Sequence, residues 1–595
     1  MRTPKTIIAV LGGLLVLVLA IALCPAASAQ ESWSPFRQGR DERDETRPPR
    51  SEAAAPLPPA PARERAGEPA YQAPAPWNAP RRGGVERSEL APVMAPDASG
   101  LPLELWRGLD LKGLEELLSG IELPPRSPSL HQLWRRMLLS SATPPAGAPD
   151  PEHFVAVRLE ALYRSGLLAD MEAVLTGSGI SGPVVQILRA RRDIGLGRRE
   201  EGCATVKSLA APNSGVPARL KGETQLLAGY CAVVGGDAHA AGLAAELARE
   251  EGVEAELPLA VLAGVASGAK PKLALPQRVL LLDYRFLELL GPVNALQVFD
   301  KAEPALLAML AGDTRSDARL QIAAAEAALR INAVAPEAIA EVYRGRSLPR
   351  AGQTDPAASD PLLRRALYFQ AIEAARTPAQ RARFLHALLD DARRSGFGLQ
   401  MARVVAPLAG SIFPSPEIPW FAETALELAL VAGNLDIASR WAQSGNLQHW
   451  QGLIDLVDPA RRGGRLPSLA AMEELAARGQ LRADTLHRLA TVLDALDIDV
   501  PITLWDAANR APQPATGYLP ETGVLADLAQ SARQGAAART ILLAMRSLGP
   551  GGAEAANVLA LGDAIRALKR IGLDADARRL GLEALLGAWP RAAVN

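Results

Sequence analysis

From Leu101 to the end of the chain, apolar residues recur at helical spacing. Stretches of 10–18 residues place them at i, i+3, i+4 and i+7, as in Leu114-Leu117-Leu118-Ile121, and each stretch ends at Gly, Pro or Asn. Ala, Leu, Arg and Glu, which favour helices, dominate these stretches, and alternating runs typical of strands are missing. The pattern predicts about twenty-five short helices and no sheet.

Gly residues followed five positions later by a small residue recur along this region. In each pair the Gly can end one helix without a Cβ penalty, and the small residue lets the next helix pack closely against the first. The pairs are Gly197/Gly202, Gly236/Ala241, Gly433/Ala438 and Gly572/Ala577. They predict antiparallel helical hairpins, each of which needs a neighbour to cover its apolar face.

These offsets resemble the tetratricopeptide repeat, whose helical hairpin carries small residues at the same places. The match extends to Gly229 and Ala248 around Gly236, and to Ala584 around Gly572. The usual Trp and Tyr of that repeat are absent, and the first interval between pairs is 39 residues rather than about 34. The resemblance covers about a quarter of the chain. It implies an all-α fold, namely a right-handed α-solenoid of stacked short antiparallel helical hairpins. The chain would then be either a degenerate relative of the tetratricopeptide repeat or a convergent stack of helical hairpins.

Pro- and Gly-rich interruptions divide the predicted stack. We expect a helical-repeat segment over 99–345, a linker or long loop over 346–361, a second helical-repeat segment over 362–510, a loop over 511–522, and a C-terminal helical cap over 523–595. The interruptions could equally be long loops within one stack.

The N-terminus has the pattern of a secretory signal peptide. Arg2 and Lys5 precede an apolar run over 7–23, and a small-x-small sequence ends at Ala29. Residues 1–29 are therefore predicted to be removed before Gln30, which places the protein in the periplasm of a Gram-negative-type cell or outside it. The alternative is an uncleaved leader that anchors the chain in the inner membrane through residues 7–23.

Residues 30–98 have a different composition from the rest of the chain. They contain 13 Pro and 10 Arg among 69 residues, with few large apolar side chains to bury. Such a composition is typical of disorder, so we expect a disordered Pro/Arg/Glu-rich linker that acts as a spacer.

The charge balance excludes one class of partner. Lys and Arg number 64 and Asp and Glu 65, so the net charge is -1. Nucleic-acid binding needs a basic field, and this chain offers none overall. Its densest basic cluster, Arg189 to Arg199, is followed at once by Glu200 and Glu201, which favours a solvated, salt-bridged helix face over a site for anionic glycans or lipid headgroups.

Two cysteines remain once the leader is removed. Cys203 lies near the start of a predicted helix and Cys231 near the end of the next, and the intervening loop lies near their midpoint. Positions equidistant from the turn of an antiparallel hairpin face each other, so we expect a Cys203–Cys231 disulfide. The alternative is two buried free thiols.

Catalytic and cofactor motifs are missing from the sequence. There is no H-E-x-x-H, G-x-S-x-G or G-K-[ST] motif, and the six His lack metal-ligand spacing. The G-x-G-x-x-G sequence at 177–182 follows a predicted helix rather than a strand, which favours an ordinary turn. We therefore expect no catalytic residue, no cofactor and no metal.

Aromatic residues make up only 4% of the chain, so a local cluster is informative. No Trp occurs between Trp134 and Trp420, and five aromatics then fall within 38 positions. These candidate partner-binding residues are Phe413, Trp420, Phe421, Trp441 and Trp450. Trp is enriched in binding hot spots, although filling the core is the competing role for such residues.

Together these features predict a non-catalytic periplasmic scaffold or adaptor that binds another envelope protein through a helical-repeat surface. The alternative is a cell-wall processing enzyme or its helical accessory domain near peptidoglycan, because the chain resembles the ring of short helices in some soluble lytic transglycosylases. That resemblance covers the helical part only. No Glu-Ser catalytic signature or lysozyme-like segment occurs near the C-terminus.

Overall fold

The structure is a computed structural model that describes residues 94, 97–142, 144–145, 150–210, 215–271, 273–345, 356, 360–461, 464–514 and 516–591. The predicted signal peptide, nearly all of the predicted linker over 30–98 and most of the segment 346–361 lie outside the described residues.

Within these ranges the chain folds into 28 α-helices and no strand, which confirms the predicted all-α class. The first ten are α1 Leu111–Ser119, α2 Pro128–Leu139, α3 Pro151–Arg164, α4 Leu168–Ser178, α5 Pro183–Gly195, α6 Arg199–Leu209, α7 Ala218–Val234, α8 Ala238–Glu250, α9 Glu256–Ser267 and α10 Leu281–Glu288. The next nine are α11 Ala295–Phe299, α12 Pro304–Gly312, α13 Ala318–Arg330, α14 Pro336–Gly345, α15 Pro361–Ala374, α16 Pro378–Arg394, α17 Gly398–Ala409, α18 Ala422–Val431 and α19 Leu435–Ser444. The last nine are α20 Gln448–Val457, α21 Ala470–Ala477, α22 Ala483–Ala495, α23 Ile502–Arg510, α24 Val524–Arg533, α25 Ala537–Leu548, α26 Gly552–Ala555, α27 Val558–Arg570 and α28 Asp574–Leu586.

Polar side chains and Pro begin many of these helices. Ser127 caps α2 by accepting a hydrogen bond from the Leu130 amide at 3.2 Å, and Asp150 caps α3 by accepting from the Glu152 amide at 2.9 Å. In both helices a Pro occupies the first helical position, where it lacks only an amide that would have no intrahelical partner. The sequence pattern therefore sets where the helices start.

Most consecutive helices pack against each other as hairpins, and the Gly-to-small pairs lie at the predicted turns. Gly197, Gly236, Gly433 and Gly572 all have φ between 72° and 84°, a conformation that strains any residue with a Cβ. Their partners are the buried small residues Gly202, Ala241, Ala438 and Ala577. The small residue allows the close helix approach, as predicted from the sequence.

Buried ion pairs join the helices on either side of the segment 346–361. The Arg365 guanidinium in α15 donates to Glu326 in α13 at 2.6 Å and to Asp391 in α16 at 2.5 Å. The Tyr343 hydroxyl in α14 donates to the same Glu326 at 2.8 Å. All four side chains are buried, so removing one would leave charges or dipoles unpaired in the core. The helices before and after the segment thus form one packed body.

The first described helices pack against the last. Leu105 accepts a backbone hydrogen bond from Ala538 of α25 at 2.9 Å, and the Ser129 amide at the start of α2 donates to Glu583 of α28 at 2.9 Å. An ion pair between Arg136 and the buried Asp576 adds to this contact. The stack of helices is therefore closed, because α2 packs against α3 and α4 on one side and against α25 and α28 on the other.

Every helix among the described residues is too short or too polar to cross a lipid bilayer.

Close helix approach at Gly202 gives a stability prediction. A Cβ at this position would lie 2.7 Å from Cγ1 and 3.1 Å from the backbone nitrogen of Ile194, so Gly202→Ala should force α5 and α6 apart. We expect a loss of about 1–3 kcal/mol in unfolding free energy, measured by chemical denaturation. The control is Gly177→Ala in α4, where a Cβ would meet nothing within 4 Å. It should leave stability unchanged or slightly higher, and equal losses in both variants would contradict the packing argument.

Candidate functional site

The structure separates the five candidate aromatic residues into two groups. Phe421, Trp441 and Trp450 are at most 2% exposed and belong to the hydrophobic core. Phe413 and Trp420 are 56% and 44% exposed. Any partner contact from this cluster therefore falls to Phe413 and Trp420, because the buried three serve the packing of α18 to α20.

Phe413 and Trp420 lie on the loop between α17 and α18, which we call the aromatic loop (residues 411–421). Pro414, Pro416 and Pro419 restrict its backbone. Buried Ile412 and Ile418 anchor it to the core, so only short stretches of chain connect the two exposed rings to buried residues.

Side-chain contacts also fix the aromatic loop to α16. The Arg381 guanidinium donates to the Ser411 hydroxyl at 2.7 Å, and the His386 ring meets the Trp420 ring edge-on, with centroids 5.7 Å apart. Trp420 in turn contacts the buried Phe421 ring at 5.8 Å. The exposed indole is thus oriented by neighbours on two sides while part of its surface faces solvent.

His449 and Trp450, which adjoin each other in the sequence, pack beneath the C-terminal residues. His449 Nε2 lies 3.1 Å from the Pro590 carbonyl, and the Arg591 guanidinium lies 5.8 Å from the centre of the Trp450 ring. Burial lowers the pKa of His449, so the ring is neutral at physiological pH. These contacts serve packing of the last described residues against α18 and α20.

The predicted disulfide is present in the structure. Cys203 in α6 and Cys231 in α7 are joined through their sulfur atoms, with Cα atoms 5.5 Å apart. The two helices run antiparallel on either side of their connection, which places the cysteines opposite each other as expected. Stable disulfides of this kind are typical of oxidising compartments.

The basic cluster between Arg189 and Arg199 is not uniformly solvated. Arg191 is mostly buried, lies 2.9 Å from Glu160, and stacks on the Tyr163 ring at 4.0 Å, while Arg192 is buried between Glu172 and Asp193. The expectation of a solvated face is therefore wrong for these two side chains. Glu160 lies on α3 and Glu172 on α4, so these two partners tie α5 to neighbouring helices, whereas Asp193 belongs to α5 itself.

A cleft of about 480 Å³ lies where the two ends of the stack meet. Its walls come from the start of α2, the α11 to α12 turn, the end of α13, the start of α17, α26 and Glu583 of α28. Apolar surface is provided by Phe299, Leu307, Ile331 and Leu399. The volume is within the range of small-molecule sites, about 300–1,000 Å³.

Two carboxyl groups line one side of this cleft. Glu583 is 5% exposed and accepts the Ser129 amide hydrogen bond described above, whereas Glu554 is open to the cleft. Buried Arg488 holds the backbone around Glu554 by donating to the Ala553 carbonyl at 2.9 Å. The backbone beside Glu554 is therefore held in place, while the carboxyl group of Glu554 makes no hydrogen bond or ion pair with any described residue.

The environment of Glu554 disfavours its negative charge. Surrounding protein and the neighbouring Glu583 raise the pKa of Glu554 to about 7, although Arg488 acts in the opposite direction. Desolvation also raises the pKa of Glu583. Glu554 lies next to Gly587, at the C-terminal and therefore negative end of α28, which is a further unfavourable position for a carboxylate.

A positive side chain borders the same cleft. Arg330, the last residue of α13, is exposed, and its guanidinium carbon lies 4.4 Å from the centre of the buried Phe397 ring. It forms no ion pair with Glu554, Asp300 or any other described residue. Asp300 at the end of α11 is likewise exposed. The cleft thus contains charges of both signs that the protein does not neutralise.

The described residues offer no group of three or more His, Cys, Asp or Glu placed to hold a metal ion. The G-x-G-x-x-G sequence forms the turn between α4 and α5, with Gly179 in a left-handed conformation. It follows a helix, as expected, and has no strand to build a dinucleotide site.

The cleft residues carried little signal in the sequence. Asp300, Arg330, Glu554 and Glu583 are far apart along the chain and belong to no recognised motif. The one local signal was the Gly-Pro-Gly-Gly sequence over 549–552, which marks a tight turn. Gly552 has a φ of 63°, and a Cβ there would lie 2.4 Å from that of Ser127, so this turn approaches the start of α2 closely.

No protein-family model, curated protein or solved structure matches this chain, so the interpretation of its sites depends on its own residues.

Removing the disulfide should destabilise the fold. The Cys203→Ala/Cys231→Ala variant loses a cross-link between residues separated by 28 positions, for which loop closure predicts about 3–4 kcal/mol. Thermal unfolding with and without dithiothreitol measures the effect. The reductant should lower the melting temperature of the native protein but leave the variant unchanged, and an equal response of both would contradict the assignment.

The raised pKa of Glu554 gives a pH-dependent prediction. The pKa of this carboxyl is about 7 in the folded protein, against an ordinary value of 4.5. Its ionisation therefore destabilises the native state increasingly from pH 4.5 to 7, and the destabilisation reaches its full size above pH 7. Glu554→Gln should therefore raise the melting temperature at pH 8 by about 1–2 °C, since cleft water screens part of the penalty, and have no effect at pH 4.

Glu474→Gln on α21 is the matched control for Glu554→Gln, because Glu474 is exposed and paired with Arg478 at 3.1 Å. It should not stabilise the protein at pH 8. A Glu554→Gln variant that is no more stable than the native protein at pH 8 would show that the carboxylate is well solvated.

Proposed function

We propose that this protein is a non-catalytic scaffold that binds another protein of the cell envelope through the aromatic loop. The observation that carries the proposal is the exposure of Phe413 and Trp420 on a Pro-restricted loop whose position is fixed by α16. Rigid, exposed aromatic side chains lose little conformational entropy on binding, and Trp is enriched at hot spots.

We further propose that the protein acts in the periplasm or outside the cell. The sequence pattern of residues 1–29 and the Cys203–Cys231 disulfide support this location. In this proposal residues 30–98 serve as a spacer, and an uncleaved leader would anchor the scaffold to the inner membrane. We also propose that the helical hairpins are degenerate relatives of the tetratricopeptide repeat.

The second candidate is a cell-wall processing enzyme, which the raised pKa of Glu554 favours. Glycosidic cleavage requires a carboxylic acid that keeps its proton near neutral pH and lies in a cleft. In the scaffold proposal the purified protein does not turn over peptidoglycan glycan strands. Release of cleaved glycan by the native protein, lost in Glu554→Gln, would favour the enzyme instead.

Photo-crosslinking tests the scaffold proposal in cells. A photoreactive amino acid at position 413 or 420 should capture a partner that the same group at Trp505 does not capture. Trp505 is the matched control because it is also an exposed Trp, 48% exposed, but lies on α23 and not on the aromatic loop.

Binding of the captured partner should then depend on the aromatic loop. Phe413→Ala/Trp420→Ala should weaken its affinity for the purified partner by tenfold or more, since a hot spot contributes about 2 kcal/mol or more. Trp505→Ala should bind as the native protein does. Identical crosslinks from all three positions, or unchanged affinity in the double variant, would contradict the proposal.

A further inference from the structure

The cleft combines features that the packing of the stack does not require. Glu554 and Arg330 carry opposite charges in the same cleft, yet they do not pair with each other or with other described residues. Apolar side chains from α11, α12, α13 and α17 line the same space. A carboxylate placed where its charge is unfavourable is a cost to stability, which proteins accept mainly at functional sites.

A ligand with an ammonium group would relieve the unfavourable charge at Glu554. The ammonium would donate to the free carboxylate and reduce its repulsion with Glu583, whose own Oε2 already accepts from the Ser129 amide. Asp300 is a third acidic group in the lining, besides Glu554 and Glu583. A divalent cation fits less well, because no group of three metal-ligating side chains is found among the described residues.

A carboxylate on the same ligand would meet Arg330. Its guanidinium is held against the Phe397 ring, which fixes its plane while leaving its donors without a carboxylate partner. Arg126, the other guanidinium at the cleft, is already paired with Glu122 at 2.6 Å. Arg330 is therefore the cation available to a ligand.

We propose that the cleft binds a small zwitterion, a free apolar amino acid or a short apolar peptide, with its ammonium group at Glu554 and its carboxylate at Arg330. Phe299, Leu307, Ile331 and Leu399 would contact the apolar side chains of the ligand. The proposal goes beyond the scaffold function and is independent of the aromatic loop, so the variants that test one leave the other unchanged.

Calorimetry on the full chain tests this proposal with L-leucine and tri-L-alanine as probes. We expect at least one to bind, and its N-acetylated and C-amidated forms to bind about tenfold more weakly or worse, because each lacks one charge-assisted contact. Absence of binding by both probes, or equal affinity for free and blocked forms, would overturn the proposal.

Two variants assign each end of the ligand. Glu554→Gln should weaken binding of the free probe about tenfold but leave the weak binding of the N-acetylated probe unchanged. Arg330→Gln should also weaken binding of the free probe about tenfold, but it should leave the weak binding of the C-amidated probe unchanged. Both side chains are exposed, so neither change should unfold the protein. Glu474→Gln and Arg478→Gln, from the surface pair on α21, are the matched controls and should bind as the native protein does. Loss of affinity that is equal for free and blocked probes would overturn the assignment of the two ends.

Discussion

The contact between the first and last helices is the interaction on which the rest of this structure depends. A short amphipathic hairpin cannot bury its apolar face alone, so an open stack leaves one uncovered face at each end. Here α2 packs between the beginning and the end of the stack, and the bond from the Ser129 amide to Glu583 fixes its register. The same contact brings together the walls of the cleft.

The composition of the chain explains how the stack is held between these ends. With 4% aromatic residues, the core relies on Leu, Val and Ala, and small residues let neighbouring helices approach closely. Buried guanidinium groups then link more distant helices. Arg365 joins α13, α15 and α16, and Arg191 joins α3 and α5, each with carboxylates that would be costly to leave unpaired. Separating the paired helices would leave uncompensated charges in the core, so these pairs favour the observed helix contacts.

The two candidate sites differ in what they can recognise. The aromatic loop presents Phe413 and Trp420 outward on a restricted backbone, which suits a broad protein surface. The cleft is concave and holds separated charges above apolar walls, which suits a small molecule. A scaffold with both would join a partner and a small ligand in one body, and the packed helices between them provide a physical connection.

The sequence by itself determined the local structure of this protein. Helical periodicity, the caps at Ser127 and Asp150, and the Gly-to-small pairs gave the all-α class and the hairpins, because these signals depend on residues only a few positions apart. The Cys203–Cys231 pairing followed from the same local geometry. The cluster from Phe413 to Trp450 was visible in the sequence, but which of its members face solvent depended on how α17 to α20 pack. Only the tertiary structure decided that the stack closes and that Glu554 and Arg330 share a cleft, because both follow from contacts between residues hundreds of positions apart, for which one sequence has no periodic signal.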